Sequence, residues 1–192
     1  MRAFLIPGAF EDLKSRNYKA VLKVYKEAGY EPKFVTIDWK YKTIDDWVAQ
    51  VKAEISEDDL KNSLLSGFSW GSMIALAVVA NYTNPKKLFL FSLSPYFAED
   101  LPHTKKAWLR WSGKKRLAAF KQLYMNQLAA KIDCPTTIFI GDEEVSKYID
   151  MKRRAQEAHR RIKNSRLIIV PKARHDPTGP NYLVAIRQSL AP

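Results

Sequence analysis

The chain has 192 residues, 46% hydrophobic and 12% aromatic, which suits one folded domain with a sizeable core and excludes a disordered or low-complexity chain. Its formal charge of +12 is uneven, net +2 over residues 1–96 and net +10 over residues 97–192. No zinc-finger, KH or RRM motif accompanies that charge, and basic residues such as Lys152, Arg153 and Arg154 lie at helical spacing, so they read as solvated helix faces and not as a specific nucleic-acid surface.

In chain order, the apolar run Arg2–Ile6, stopped by Pro7-Gly8, reads as a first strand. It is too short for a signal peptide, and no 18-residue apolar run offers a membrane span, so a cytoplasmic protein is expected. Residues 17–28 place Val21, Leu22, Val24 and Tyr25 on one helical stripe, closed by Gly29. Lys33–Ile37 is a β-type run. Thr43, with Asp46 three residues on, opens a helix that turns Ile44, Trp47, Val48, Val51 and Ile55 inward. Asn62–Ser66 predicts the third strand and Gly71–Tyr82 an almost wholly apolar helix. Lys87–Leu93 is the fourth strand, ending at Ser94-Pro95. Thr136–Ile140 and Arg166–Val170 are the fifth and sixth, and helices are expected over 147–162 and 182–190. Cys134, just before the fifth strand, is the single cysteine. It excludes an intramolecular disulfide or a cysteine-based metal site, and it reads as a buried structural thiol.

This alternation predicts an α/β protein: a three-layer sandwich around a mainly parallel six-stranded sheet. A single domain, 1–192, is expected. One stretch breaks the rhythm. Residues 96–131, between the fourth and fifth strands, hold Trp108, Trp111 and a stripe of Leu117, Phe120, Tyr124 and Leu128, and read as a small helical, cap-like insertion.

Between the third strand and its helix stands Gly67-Phe68-Ser69-Trp70-Gly71. A G-x-S-x-G at a strand-to-helix junction is a nucleophile elbow: the turn is too sharp for side chains beside the serine, and the hydroxyl is left exposed above the sheet. A serine nucleophile needs a base, an orienting acid and oxyanion donors. Of three histidines, His103 lies in the insertion and His159 on a basic helix. His175 follows the last strand, at the sheet edge where a parallel sheet collects its functional groups. The fifth strand ends in Gly141-Asp142-Glu143-Glu144, which offers three acids at the same edge.

With these motifs in this order, the chain resembles the α/β-hydrolase superfamily, in particular small serine hydrolases near the minimal fold, over nearly all its length. The resemblance implies a Ser69, acid, His175 triad. Family members often carry G-x-x-D after the fifth strand, which puts the acid at Glu144, with Asp142 as the alternative. The usual glycine before the histidine is replaced by Arg174. The family's oxyanion loop follows the first strand, often as H-G-x; here it is Pro7-Gly8-Ala9-Phe10. The resemblance assigns the oxyanion donors to the N–H groups of Ala9 and Trp70, and Gly8 permits the close backbone approach. Phe10, Phe68 and Trp70 are expected as apolar walls beside the serine, with Gly8 at the substrate.

The implied function is carboxylic ester hydrolysis through an acyl-enzyme, with no metal or organic cofactor. A small-molecule ester is the expected substrate, and the basic second half suggests an anionic one or an acidic carrier such as an acyl carrier protein. Thioester cleavage uses the same triad. The alternative from another class is a catalytically inert binding protein on the same scaffold.

Overall fold

A computed structural model describes residues 1–191. Six strands form one sheet: β1 (Arg2–Ile6), β2 (Glu31–Phe34), β3 (Ser63–Phe68), β4 (Lys87–Phe91), β5 (Thr136–Gly141) and β6 (Ser165–Val170). Their order is β2-β1-β3-β4-β5-β6, and every neighbouring pair is parallel. All six therefore end at the same edge, where their loops can share one site.

The layering follows from the period-two alternation of side chains along a strand. Phe4, Ile6, Leu65, Leu88, Leu90, Ile138 and Ile140 point into one core. Their neighbours Ala3, Leu5, Leu64, Phe89, Phe91 and Phe139 point into a second core on the opposite face. Helices α1 (Tyr18–Glu27) and α10 (Pro180–Leu190) cover the second face with Tyr18, Val21, Tyr25, Tyr182 and Ile186. Helices α2 (Ile44–Glu54), α4 (Trp70–Asn81) and α9 (Ile149–Arg161) cover the first with Trp47, Met73 and Ala155 among others. Strands apolar on both faces are what a covered parallel sheet requires. Helix α4 is buried from Trp70 to Ala80, because it lies on the sheet and is itself packed by α2 and α7 (Met125–Ala129); that explains its all-round apolar sequence.

Several boundaries differ from the sequence pattern. β2 starts at Glu31 and leaves the sheet after Phe34, although Val35 still donates to the Leu5 carbonyl at 2.9 Å. Helix α3 (Glu57–Lys61), capped by the Ser56 hydroxyl, is an extra turn before β3. The helix expected over 147–162 is α9, and a separate short helix, α8 (Asp142–Lys147), precedes it, the two being parted by an extended Tyr148 (φ −131°, ψ 90°). Helix α10 begins at Pro180, whose fixed φ and missing N–H suit a first helical position. Between β4 and β5 lie α5 (Lys106–Ser112), α6 (Lys114–Phe120) and α7. The stripe read as one run from Leu117 to Leu128 is divided by an extended Tyr124.

Candidate active site

Ser69 sits between β3 and α4 with φ 55° and ψ −116°, a backbone conformation that L-residues avoid. The surrounding packing imposes it. A Cβ on Gly67 would run into the Gly71 carbonyl and come within 2.6 Å of the Ser72 nitrogen. One on Gly71 would meet the Pro7 carbonyl oxygen and stand 2.5 Å from that of Ile6. These are backbone atoms, so neither glycine can be replaced without moving β1 or the turn. Two further bonds pin the turn: the Ser69 N–H donates to the Phe91 carbonyl at 2.9 Å, and the Ser72 hydroxyl donates to the Gly67 carbonyl at 2.6 Å.

His175 follows β6, and its Nδ1 lies 2.5 Å from Glu144 Oε1. The Glu144 side chain is buried. Its other oxygen accepts from the Gly141 N–H at 2.7 Å, the Ser92 hydroxyl at 2.8 Å and the Tyr182 hydroxyl at 3.2 Å. A glutamate suits this place because α8 starts immediately after Gly141. The third helical residue can fold its longer side chain back onto the N–H of the residue before the helix, while its free oxygen faces the imidazole. Asp142 is differently occupied. Its carboxylate accepts the Ala173 N–H at 3.1 Å, and the backbone N–H groups of Lys172 and Ala173 hold it below the usual carboxylate range. It therefore braces the loop that carries His175 and does not meet the imidazole.

Gly8 to Glu11 form a tight turn, with the Glu11 N–H donating to the Gly8 carbonyl at 3.1 Å and Phe10 at φ 61°. Among the described residues, the N–H groups of Ala9 and Trp70 donate to no protein acceptor, and both residues line the same cavity as Ser69 and His175. The turn is tied to the histidine loop from behind. The Gly8 N–H donates to the Tyr18 hydroxyl at 3.0 Å, and that hydroxyl donates to the Glu11 carboxylate. Arg16 pairs with Glu11 at 2.6 Å and with Asp176 at 3.2 Å, and lies over the Phe68 ring.

The shared cavity holds about 440 Å³, a volume typical of small-molecule sites. Its walls are Pro95, Tyr96, Trp108, Trp111, Tyr148 and Met151 together with Trp70. Inside it the Ser69 hydroxyl is 3.0 Å from that of Ser94; no hydrogen bond joins it to His175 among the described residues.

Of the expected substrate residues, Trp70 lines this cavity, whereas Phe68, Phe10 and Gly8 do not. Phe68 points into the second core, as the alternation along β3 dictates, and its ring lies 4.7 Å from that of His175, supporting the imidazole from below. Gly8 is buried; a Cβ there would stand 2.8 Å from Glu11 Oε2 and 2.9 Å from the Phe68 ring, so its smallness serves the packing of the turn. Phe10 is half exposed on the rim, against Trp39, Trp70 and Trp111 and under the Arg116 guanidinium. The sequence reading missed Ser92, Ser94, Tyr148, Met151 and Tyr182 as site residues. Ser92 and Ser94 could have been flagged, since they lie at the C-terminal end of β4 on the functional edge. Tyr182 carries no such signal, for only the folding of α10 brings it to Glu144.

The sequence matches no protein-family model and no curated protein. Solved structures do match. Est1E from Butyrivibrio proteoclasticus with bound ferulic acid is 16% identical, with a TM-score of 0.79 over 99% of this chain and 86% of that one. Mouse alpha/beta hydrolase domain-containing protein 10 is 11% identical (TM-score 0.76, covering 98% and 87%). MenH from S. aureus is 13% identical (TM-score 0.67, 98% and 93%). The chain has the α/β-hydrolase fold, in a form whose sheet is six parallel strands. Among the described residues no helix is long and apolar enough to cross a membrane.

Proposed function

We propose that the protein is a serine hydrolase of carboxylic esters. The observation that carries this reading is the His175–Glu144 pair standing at the cavity into which a strained elbow presents Ser69. Rotation about the Ser69 Cα–Cβ bond exchanges Ser94 for the free Nε2 of His175, a contact that in unliganded enzymes often forms only with substrate. Ser69 Oγ attacks the ester carbonyl as His175 takes its proton. The carbonyl oxygen, now an anion, is received by the N–H groups of Ala9 and Trp70. Glu144 keeps the imidazole proton on Nδ1 and stabilises the imidazolium. His175 then protonates the leaving alkoxide, and water, activated by the same imidazole, releases the acid from Ser69.

In this reading α5–α7 cap an acyl pocket, with Trp108 and Trp111 of α5 as part of its wall, so an apolar or aromatic acyl group is favoured. The buried, unpaired Cys134 thiol accords with a cytoplasmic protein.

The test is covalent. A fluorophosphonate should label the wild-type chain and leave Ser69→Ala unlabelled, and p-nitrophenyl esters of graded acyl length should turn over with the same dependence on Ser69. Folded wild-type protein that neither labels nor hydrolyses any ester of the series would favour the inert binding protein, in which the Ser69–Ser94 contact is permanent.

A further inference from the structure

A second cavity, of about 350 Å³, adjoins the first and shares Tyr148 and His175 with it. The two differ sharply in chemistry. The first is walled by aromatic rings, whereas the second is bounded by Glu143, Glu144, Lys147 and Arg174. The second holds two carboxylates and two cations, and they differ in how they are paired. Glu144 faces inward onto His175, Gly141, Ser92 and Tyr182. Glu143 and Arg174 pair with each other at 2.9 Å. Lys147 has no carboxylate partner among the described residues, and its ammonium stands 5.3 Å from the Tyr148 ring. Lys105, equally without a carboxylate partner among the described residues, stands 5.9 Å from the Tyr148 and Trp108 rings. The Tyr148 ring, which borders both cavities, is thus flanked by two cations without a carboxylate partner among the described residues.

The direction of the chemistry says which part of a substrate lies there. His175 gives its proton to the leaving oxygen, so the leaving group departs on the side of the imidazole, and the second cavity also borders His175. Resting on the serine-hydrolase reading above, we propose that the substrate is an ester of an apolar acid with an alcohol bearing a carboxylate, and that Lys147, with Lys105 beyond Tyr148, selects this anionic alcohol. The acyl part occupies the aromatic cavity, and the carboxylate lies beyond His175 against the two ammonium groups. Both lysines are specificity residues and take no part in bond making.

Two phenylacetate esters test this, one of 3-carboxy-4-nitrophenol and one of 3-carbamoyl-4-nitrophenol. They share the acyl group and differ in the charge on the leaving group. The quantity read is the ratio of kcat/KM for the anionic to the neutral ester, which cancels any loss common to both. Lys147→Ala should lower the ratio roughly fivefold and Lys105→Ala by a smaller factor, as expected for a partly screened charge pair. Lys147→Arg should restore most of it, and salt at about 0.5 M should reduce the wild-type ratio toward that of Lys147→Ala. Lys61→Ala, just before β3 at the opposite edge of the sheet, should keep the wild-type ratio. A ratio that Lys147→Ala leaves unchanged overturns the proposal, as does one that falls equally in Lys61→Ala. No turnover of either ester together with no fluorophosphonate label on Ser69 would instead remove the hydrolase reading itself.

Discussion

Replacing Glu144 by glutamine separates the roles of its two oxygens. In the native site Oε2 accepts three donors, from Gly141, Ser92 and Tyr182, while Oε1 meets His175 Nδ1. A carboxamide has only one oxygen. Turning it toward the three donors keeps that cluster satisfied and points the NH2 group at Nδ1. The imidazole must then carry its proton on Nε2, the tautomer that cannot accept a proton from Ser69. The opposite flip would set an NH2 group against the Gly141 N–H inside the core, at about 1–3 kcal/mol for that unsatisfied pair, and would force both hydroxyls to turn from donor to acceptor, so the first orientation wins. The equivalent tautomer error in a serine-protease triad costs about 10⁴-fold in kcat, or about 5 kcal/mol of transition-state stabilisation. Glu144→Gln should therefore fold, with an unchanged far-UV spectrum and a urea midpoint near that of the wild type, and lose about that factor in kcat on p-nitrophenyl acetate. Asp142→Asn should lose far less, because an asparagine oxygen can still accept the Ala173 N–H. A folded Glu144→Gln protein within tenfold of wild-type kcat would refute the assignment, and a larger loss in Asp142→Asn would transfer the role.

Gly71→Ala places a methyl group against the Ile6 and Pro7 carbonyl oxygens and should cost about 3 kcal/mol or more, read as a fall in the urea midpoint; Gly29→Ala, at φ 83° with open space around it, should cost only about 1 kcal/mol. Tyr182→Phe removes the hydroxyl that bonds both Ser92 and Glu144. It should destabilise the fold by about 1–2 kcal/mol and lower kcat more than it raises KM, since the loosened acid holds His175 less firmly; an unchanged kcat would deny Tyr182 that positioning role. Burial pushes the Cys134 thiol up from 9.0 to about 11. A group that binds its proton more tightly when folded stabilises fully below its unfolded pKa and loses that stability as pH rises through the folded value. Denaturation curves should therefore weaken between about pH 9 and 11, and Cys134→Ala should flatten part of that decline.

The sequence alone carried the order of elements, because strands apolar on both faces and amphipathic helices are written in local periodicity. It also carried Ser69 and His175 as candidates, since both are set by their position after a strand in a parallel sheet, and the two elbow glycines, whose steric need is local. The spacing of the resemblance pointed to Glu144 with Asp142 as the alternative, but which carboxylate meets the imidazole was not legible from it. That depends on where α8 begins and on which way each carboxylate turns once the Ala173 loop packs against it. Phe68 and Phe10 looked like substrate walls because they neighbour the site in the chain. Phe68 is turned away by the strand's alternation, and Phe10 is held on the rim by the left-handed turn. The cavity beside Ser69 is lined by its chain neighbour Trp70 and by Tyr96, Trp108, Trp111, Tyr148 and Met151, which lie far from it in sequence. Local periodicity determines which elements form, but contacts between residues far apart in the chain are decided only when the layers pack. The acid's orientation, the composition of the cavity and the uncommitted lysines beside Tyr148 therefore belong to the tertiary structure.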